Sequence, residues 1–171
     1  MHSVLRSAII LSVFLFVGSI KANAQLNSLT VSVNPSTVSF SLTSGGIASG
    51  SGPVVITTSW SFVALRSAIN VYGSFASVSA ALSDGAGHNI ASSSVLGQVP
   101  TGLPLTFTAF AQTGPFGAGG GSLRLLSQSI TVLTLTGSRN DTLNFRVDLS
   151  STPQLPAGVY TGTIVVQAQA L

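Results

Sequence analysis

Side chains able to do acid–base, nucleophilic or metal chemistry are scarce in this sequence. It has no Cys and no Glu, and beyond residue 24 its ionisable groups are Asp84, Asp141, Asp148, Arg66, Arg124, Arg139, Arg146, one His (His88), Tyr72 and Tyr160. Hydrolysis by paired carboxylates needs two acids on facing elements. With three scattered Asp, such a pair could arise only through tertiary placement. Asp148 stands two residues from Arg146 on the polar side of an alternating run, which predicts a surface charge pair of little energetic weight. A serine triad would have to use His88, four residues after Asp84 in the segment DGAGHN. No G-x-S-x-G elbow lies nearby, so the reading is an exposed loop histidine. Zinc wants three or four ligands and only Asp84 and His88 cluster; calcium could draw on Asp84, Asn89 and carbonyls but wants more carboxylate oxygen. The Gly-rich GAGGGSL, residues 117–123, lacks the Lys-Ser/Thr ending of a phosphate loop and leads into a strand, which predicts a flexible connection. No catalytic residue, cofactor or metal is expected, and the chain reads as a non-enzyme.

The elements that position these residues begin with an export signal. Arg6 precedes the uncharged apolar run SAIILSVFLFVGSI, residues 7–20, which ends at Lys21. The run has signal-peptide length and is shorter than the roughly 20 residues a membrane-spanning helix needs. Ala22 and Ala24 supply the small residues a signal peptidase reads, predicting a cut between Ala24 and Gln25. Residues 1–24 are therefore a cleaved signal peptide and residues 25–171 a single domain, exported to the periplasm, the cell surface or the medium. Removing Arg6 and Lys21 lowers the formal charge from +3 to +1. What remains has no Lys and no basic stripe to hold nucleic acid or an anionic membrane. Without Cys, no disulfide supports the fold, and burial and sheet hydrogen bonds must carry it.

Hydrophobic periodicity is two, not 3.6. Leu29, Val31 and Val33 alternate with polar residues up to Asn34-Pro35, and Val38, Phe40 and Leu42 continue after the turn. Residues 43–53 read as a loop. Val54, Ile56, Thr58, Trp60 and Phe62 share one side of a longer strand, and Ile69, Val71, Gly73 and Phe75 form the next. A polar turn segment fills 83–94, Leu105–Ala109 resumes alternation, and 123–135 reads as two strand pieces meeting near Ser127-Gln128. Leu143, Phe145, Val147 and Leu149, with Thr142, Asn144, Arg146 and Asp148 opposite, make the clearest half-buried strand. A final strand runs from Tyr160 to Leu171. Eight to ten such strands predict an all-β, antiparallel, immunoglobulin-like β-sandwich. An outer-membrane barrel would share the alternation, but its aromatic girdles are missing.

The segment LTVSVNPSTVSFSLTSGG, Leu29 to Gly46, resembles the opening strands of bacterial immunoglobulin-like extracellular domains. The segment LPAGVYTGTIVVQAQAL, Leu155 to Leu171, is similar to the closing turn and strand of spore-coat-protein-U-like and chaperone–usher pilin domains. Together they cover 35 residues. The resemblance implies a surface structure or adhesion, although the cysteine pair common among those pilins is missing. Two functions follow as expectations. One is a structural or surface-assembly subunit (pilin, coat or adhesin-like) that adds strands to itself or to another subunit, since no Lys guards its edges. The alternative is an extracellular ligand- or glycan-binding module with an exposed aromatic. Trp60 and Phe62 read as core, and Phe116 in its Gly/Pro loop is the expected ligand contact.

Overall fold

β-Branched and aromatic residues alternating with Ser and Thr leave an extended chain with one apolar and one hydrogen-bonding face. The computed structural model describes residues 27–42, 45–152, 155–156 and 159–171, and among them the regular elements are strands and one three-residue 3-10 turn, Ser92–Ser94. The strands are β1 (Asn27–Asn34), β2 (Ile47–Ser49), β3 (Val54–Phe62), β4 (Ala68–Phe75), β5 (Leu82–Ser83), β6 (Asn89–Ile90), β7 (Val95–Gln98), β8 (Thr108–Ala109), β9 (Ser122–Ser129), β10 (Thr136–Asp148) and β11 (Ile164–Ala170). The expected cut between Ala24 and Gln25 lies outside the described residues. No described helix is long and apolar enough to cross a membrane.

All pairings are antiparallel. The larger sheet runs β1-β3-β10-β7-β8, with β2 also on β10, the smaller runs β11-β4-β9, and β5 and β6 form a separate hairpin. The two main sheets face each other in a sandwich-like arrangement, with β1 and β11 as edge strands on the same flank, their outer edges unpaired among the described residues. Val54, Ile56, Leu143, Phe145 and Val147 of the larger sheet share one buried cluster with Ile69, Val71, Phe75, Leu123 and Leu125 of the smaller. The layers approach closely: a Cβ on Gly97 of β7 would lie 2.9 Å from Leu123 of β9. Phe110, fully buried, meets Phe75 edge-on at 5.2 Å and stacks with Phe145 at 6.2 Å. The geometry favours aromatic contacts beyond simple burial.

Several expected boundaries move. Val38–Leu42 is not a strand; its backbone pairs only through a bridge between Phe40 and Gly50. The ladder position on β10 goes to β2, inside the stretch read as a loop, because small Ala48 can lie buried opposite Val147. The polar segment 83–94 contains the β5–β6 hairpin, and 123–135 holds one strand, β9, not two. β10 starts seven residues earlier than Leu143. Its inner face therefore carries Gly137, Arg139 and Asp141 ahead of Leu143, so a charged pair lies in line with the core.

Candidate functional site

Asp84 and His88 do come together, with Nδ1 of His88 2.6 Å from Oδ2 of Asp84. The other carboxylate oxygen accepts the backbone N–H groups of Ala86 (2.8 Å) and His88 (3.0 Å). Partial burial opposes ionisation of Asp84, but the His88 side chain and these N–H groups outweigh it and lower its pKa. The carboxylate is thus turned toward hydrogen-bond donors that close a tight turn between Gly85 and Gly87, both at positive φ. A cation would have to compete with those donors. Asn89, the other side chain considered for calcium, donates to Gly87 O at 3.4 Å. Among the described residues no three His, Cys, Asp or Glu side chains gather.

The expected Arg146–Asp148 charge pair does not form. Asp148 instead accepts the backbone N–H (2.9 Å) and hydroxyl (2.6 Å) of Ser150, which lower its pKa, with a smaller contribution from the charge of Arg146. The guanidinium of Arg146 lies 3.9 Å from the ring centroid of Phe107, a cation–π arrangement. The sequence pattern assigns no role to Arg139 and Asp141, which form an ion pair with a buried carboxylate and a partly exposed guanidinium. Nε of Arg139 is 3.0 Å from both Asp141 oxygens, Nη2 is 2.8 Å from Oδ1, and Nη1 donates to Gln128 Oε1 at 3.0 Å. Nη2 also donates to Thr101 O, and the Thr101 hydroxyl donates to Asp141 at 2.9 Å. This network ties β10 of one sheet to β9 of the other. The signal that could have found it is parity, since 139 and 141 share the face of 143 and 145.

Trp60 and Phe62 are buried as expected, and the indole N–H donates to Thr134 O at 2.9 Å. Phe116 is half-buried, not a free loop aromatic. Its ring meets Tyr72 edge-on at 6.0 Å, and its carbonyl accepts the Ser122 hydroxyl at 2.8 Å. The Gly-rich loop around it rests against β4 at its start: a Cβ on Gly117 would lie 2.5 Å from Ser74, and Phe75 exchanges backbone hydrogen bonds with Ala118 and Gly121.

The feature that sequence reasoning did not assemble is the side of the sandwich where β1 faces β11. Both are edge strands, and between the end of β1 and the start of β11 lies a cleft of about 430 Å³. Its mouth is formed by Val33, Thr37, Phe40, Tyr160 and Thr163, and its floor by Val54, Phe75, Val95, Leu143 and Phe145. No charged residue lines it. The β5–β6 hairpin fixes one wall: Ser83 and Thr161 exchange backbone hydrogen bonds of 2.8 and 2.9 Å. A Cβ on Gly162 would fall 2.0 Å from Ala81 O, so only glycine lets the chain approach that closely. Tyr160 donates to Pro156 O at 3.1 Å, and burial, with the charge of Asp84, raises its pKa. It presents a neutral hydroxyl at the mouth. Such a cleft can take apolar side chains, and the free edges beside it can take backbone hydrogen bonds.

The chain matches no protein-family model, no curated protein and no solved structure. The site has to be read from its own geometry.

Proposed function

We propose that this chain is an exported, non-catalytic structural subunit that assembles by strand addition, the cleft between β1 and β11 receiving a strand from a second copy. The observation that carries this reading is the coincidence of an uncharged apolar cleft with two unguarded strand edges. A preformed small-molecule pocket needs only the cleft; an added strand uses the edge as well, through main-chain hydrogen bonds and pockets for alternate side chains. The strand order supports it further. In a seven-stranded immunoglobulin arrangement, sheet A-B-E-D faces sheet C-F-G. Here β1-β3-β10-β7 follows the order A-B-E-D and β4-β11 the order C-F, with β9 added beyond β4 where that arrangement has no strand. The free edge of β11, where G would lie, carries no strand among the described residues.

Light scattering during size-exclusion chromatography of residues 25–171 tests the reading. Association that grows with concentration, and disappears in Val33→Lys, is the expected result; a monomer at every concentration would overturn it. A glycan-binding role draws its support from the half-exposed Tyr72–Phe116 pair beside Arg124, which is opposite Tyr72 in the β4–β9 register. A glycan array that lights up with the native domain and goes dark with Phe116→Ala would favour that alternative.

A further inference from the structure

The outward face of the smaller sheet is built around an irregularity in β9. Strand parity sends Ile69, Val71 and Phe75 of β4 into the core and turns Asn70 and Tyr72 the other way. In a regular ladder Arg124 and Ser127 of β9, an odd number of residues apart, would point to opposite faces. They do not, because the register shifts between Val71 and Tyr72: Val71 is opposite Leu126 and Tyr72 opposite Arg124, which leaves Leu125 as the extra residue. Leu125 and Leu126 are both buried, whereas Arg124 and Ser127 are both exposed. Such bulges re-aim side chains and are frequent beside functional sites. The backbone N–H of Arg124 at the bulge donates to Gln112 Oε1 at 2.9 Å. β11 completes the face, with Gln167 opposite Tyr72 and Gln169 opposite Asn70. One row across the three strands thus reads Gln167, Tyr72, Arg124 and the next Gln169, Asn70, Ser127.

We infer that this face binds a carboxylated sugar, Arg124 pairing with its carboxylate, Tyr72 lying against its ring, and the amides of Asn70, Gln167 and Gln169 taking its hydroxyls. The inference deepens the glycan reading of the Tyr72–Phe116 pair and rests on it. Two uncommitted groups say what the occupant has to offer. Among the described residues the ion pairs are Asp84–His88 and Arg139–Asp141, so the exposed guanidinium of Arg124 has no anionic partner. Asn70 is only 6% exposed, yet its Oδ1 has no hydrogen-bond partner, a costly state that a hydroxyl donor relieves once the half-buried Gln169 beside it turns outward. A ligand with both an anion and hydroxyls meets both needs. An inorganic anion would use Arg124 alone, a nucleic acid wants a run of cations that this face lacks, and an apolar chain would leave the amides without partners. The two rows cover about 10 Å across the strands and about 7 Å along them, room for one or two sugar rings. The loop of Phe116 closes one end, where a Cβ on Gly114 would lie 3.4 Å from the Tyr72 ring, so the ligand extends toward Asn70. Strand addition uses other side chains, since the cleft opens onto Phe75 and its neighbours on the inner side of the sheet.

The test is a glycan array carrying uronate- and sialate-containing chains beside neutral ones, followed by calorimetric titration of each chain that binds. Acidic chains should bind, and their methyl esters about tenfold more weakly or worse, because esterification removes the charge that Arg124 pairs with. Arg124→Gln, which keeps the native β-sheet circular dichroism because the side chain is exposed, should weaken binding of the acid by a similar factor and erase its preference over the ester. Gln167→Ala, equally exposed, should cause a smaller loss, and Val33→Lys none. Neutral chains bound as tightly as acidic ones would overturn the inference and leave the glycan reading standing, whereas an array with no bound chain would overturn both. Poly-L-glutamate binding as tightly as the acidic sugars, or affinity unchanged in Arg124→Gln, would overturn the inference as well.

Discussion

The two flanks of the sandwich are finished in opposite ways. On one, the chain itself crosses between the sheets: β8 pairs with β7 in the larger sheet, and a few residues later Gln112 bridges to Ser122 of the smaller. Phe110 fills the space beneath this crossing, and the Arg139–Asp141–Gln128 network ties β10 to β9. On the other flank β1 and β11 face each other with no strand between them among the described residues, and an uncharged cleft reaches from the surface to Phe75, Leu143 and Phe145. The same buried residues thus carry a sealed seam and an open one. Such asymmetry shows that the open side is not a general weakness of packing, because the closed side is packed to contact.

Substitutions should register this difference. Phe110→Ala removes a fully buried ring from the sealed flank and should reduce unfolding free energy by about 3–5 kcal/mol, measured by urea denaturation. Asp141→Ala leaves Arg139 facing the interior without its carboxylate. Because Arg139 is about a third exposed, the loss should sit near the low end for a broken buried pair, about 3 kcal/mol. Replacing both partners with apolar residues of similar volume should recover part of it. Phe116→Ala, outside either flank, loses one edge-on aromatic contact and should lower stability by about 1 kcal/mol. Val33→Lys, at the mouth of the open flank, should change stability by no more than about 0.5 kcal/mol while abolishing association.

The pH response is the smallest effect expected. Asp84 and Asp148 have folded-state pKa values below the ordinary 3.8. They contribute stability above that value, and it is lost as the pH falls through their lower folded values. Asp84→Asn and Asp148→Asn should flatten the acid limb of a stability–pH curve. Tyr160, raised above 10.0, acts in the opposite sense, its contribution being complete below 10.0 and lost as the pH rises through its higher folded value. Tyr160→Phe should flatten the alkaline limb.

The sealed flank was partly legible in the sequence and the open one hardly at all. Period-two runs identify β3, β4 and β10 and their buried faces, because those strands each bury one side against the opposing sheet. Trp60 and Phe62 follow for the same reason. Arg139 and Asp141 keep the parity of Leu143 and Phe145 but break its polarity, so a reading by hydrophobicity starts the strand too late. β2 is three residues long and hidden among Gly and Ser, and its place depends on Val147, a partner nearly a hundred residues away. The cleft combines β1, the Val38–Phe40 segment and the turn before β11, and nothing in local alternation says that their edges stay unpaired. Phe116 was singled out by its loop composition, whereas the fit of Gly117 over Ser74 shows that this loop is packed against β4.

The open flank is tested most directly by amide hydrogen exchange along Ile164–Ala170 at low and high protein concentration. An added strand slows exchange at the free edge of β11 as concentration rises, leaves β9 unchanged, and loses this effect in Val33→Lys. Equal exchange along β11 at both concentrations would contradict strand addition at this flank.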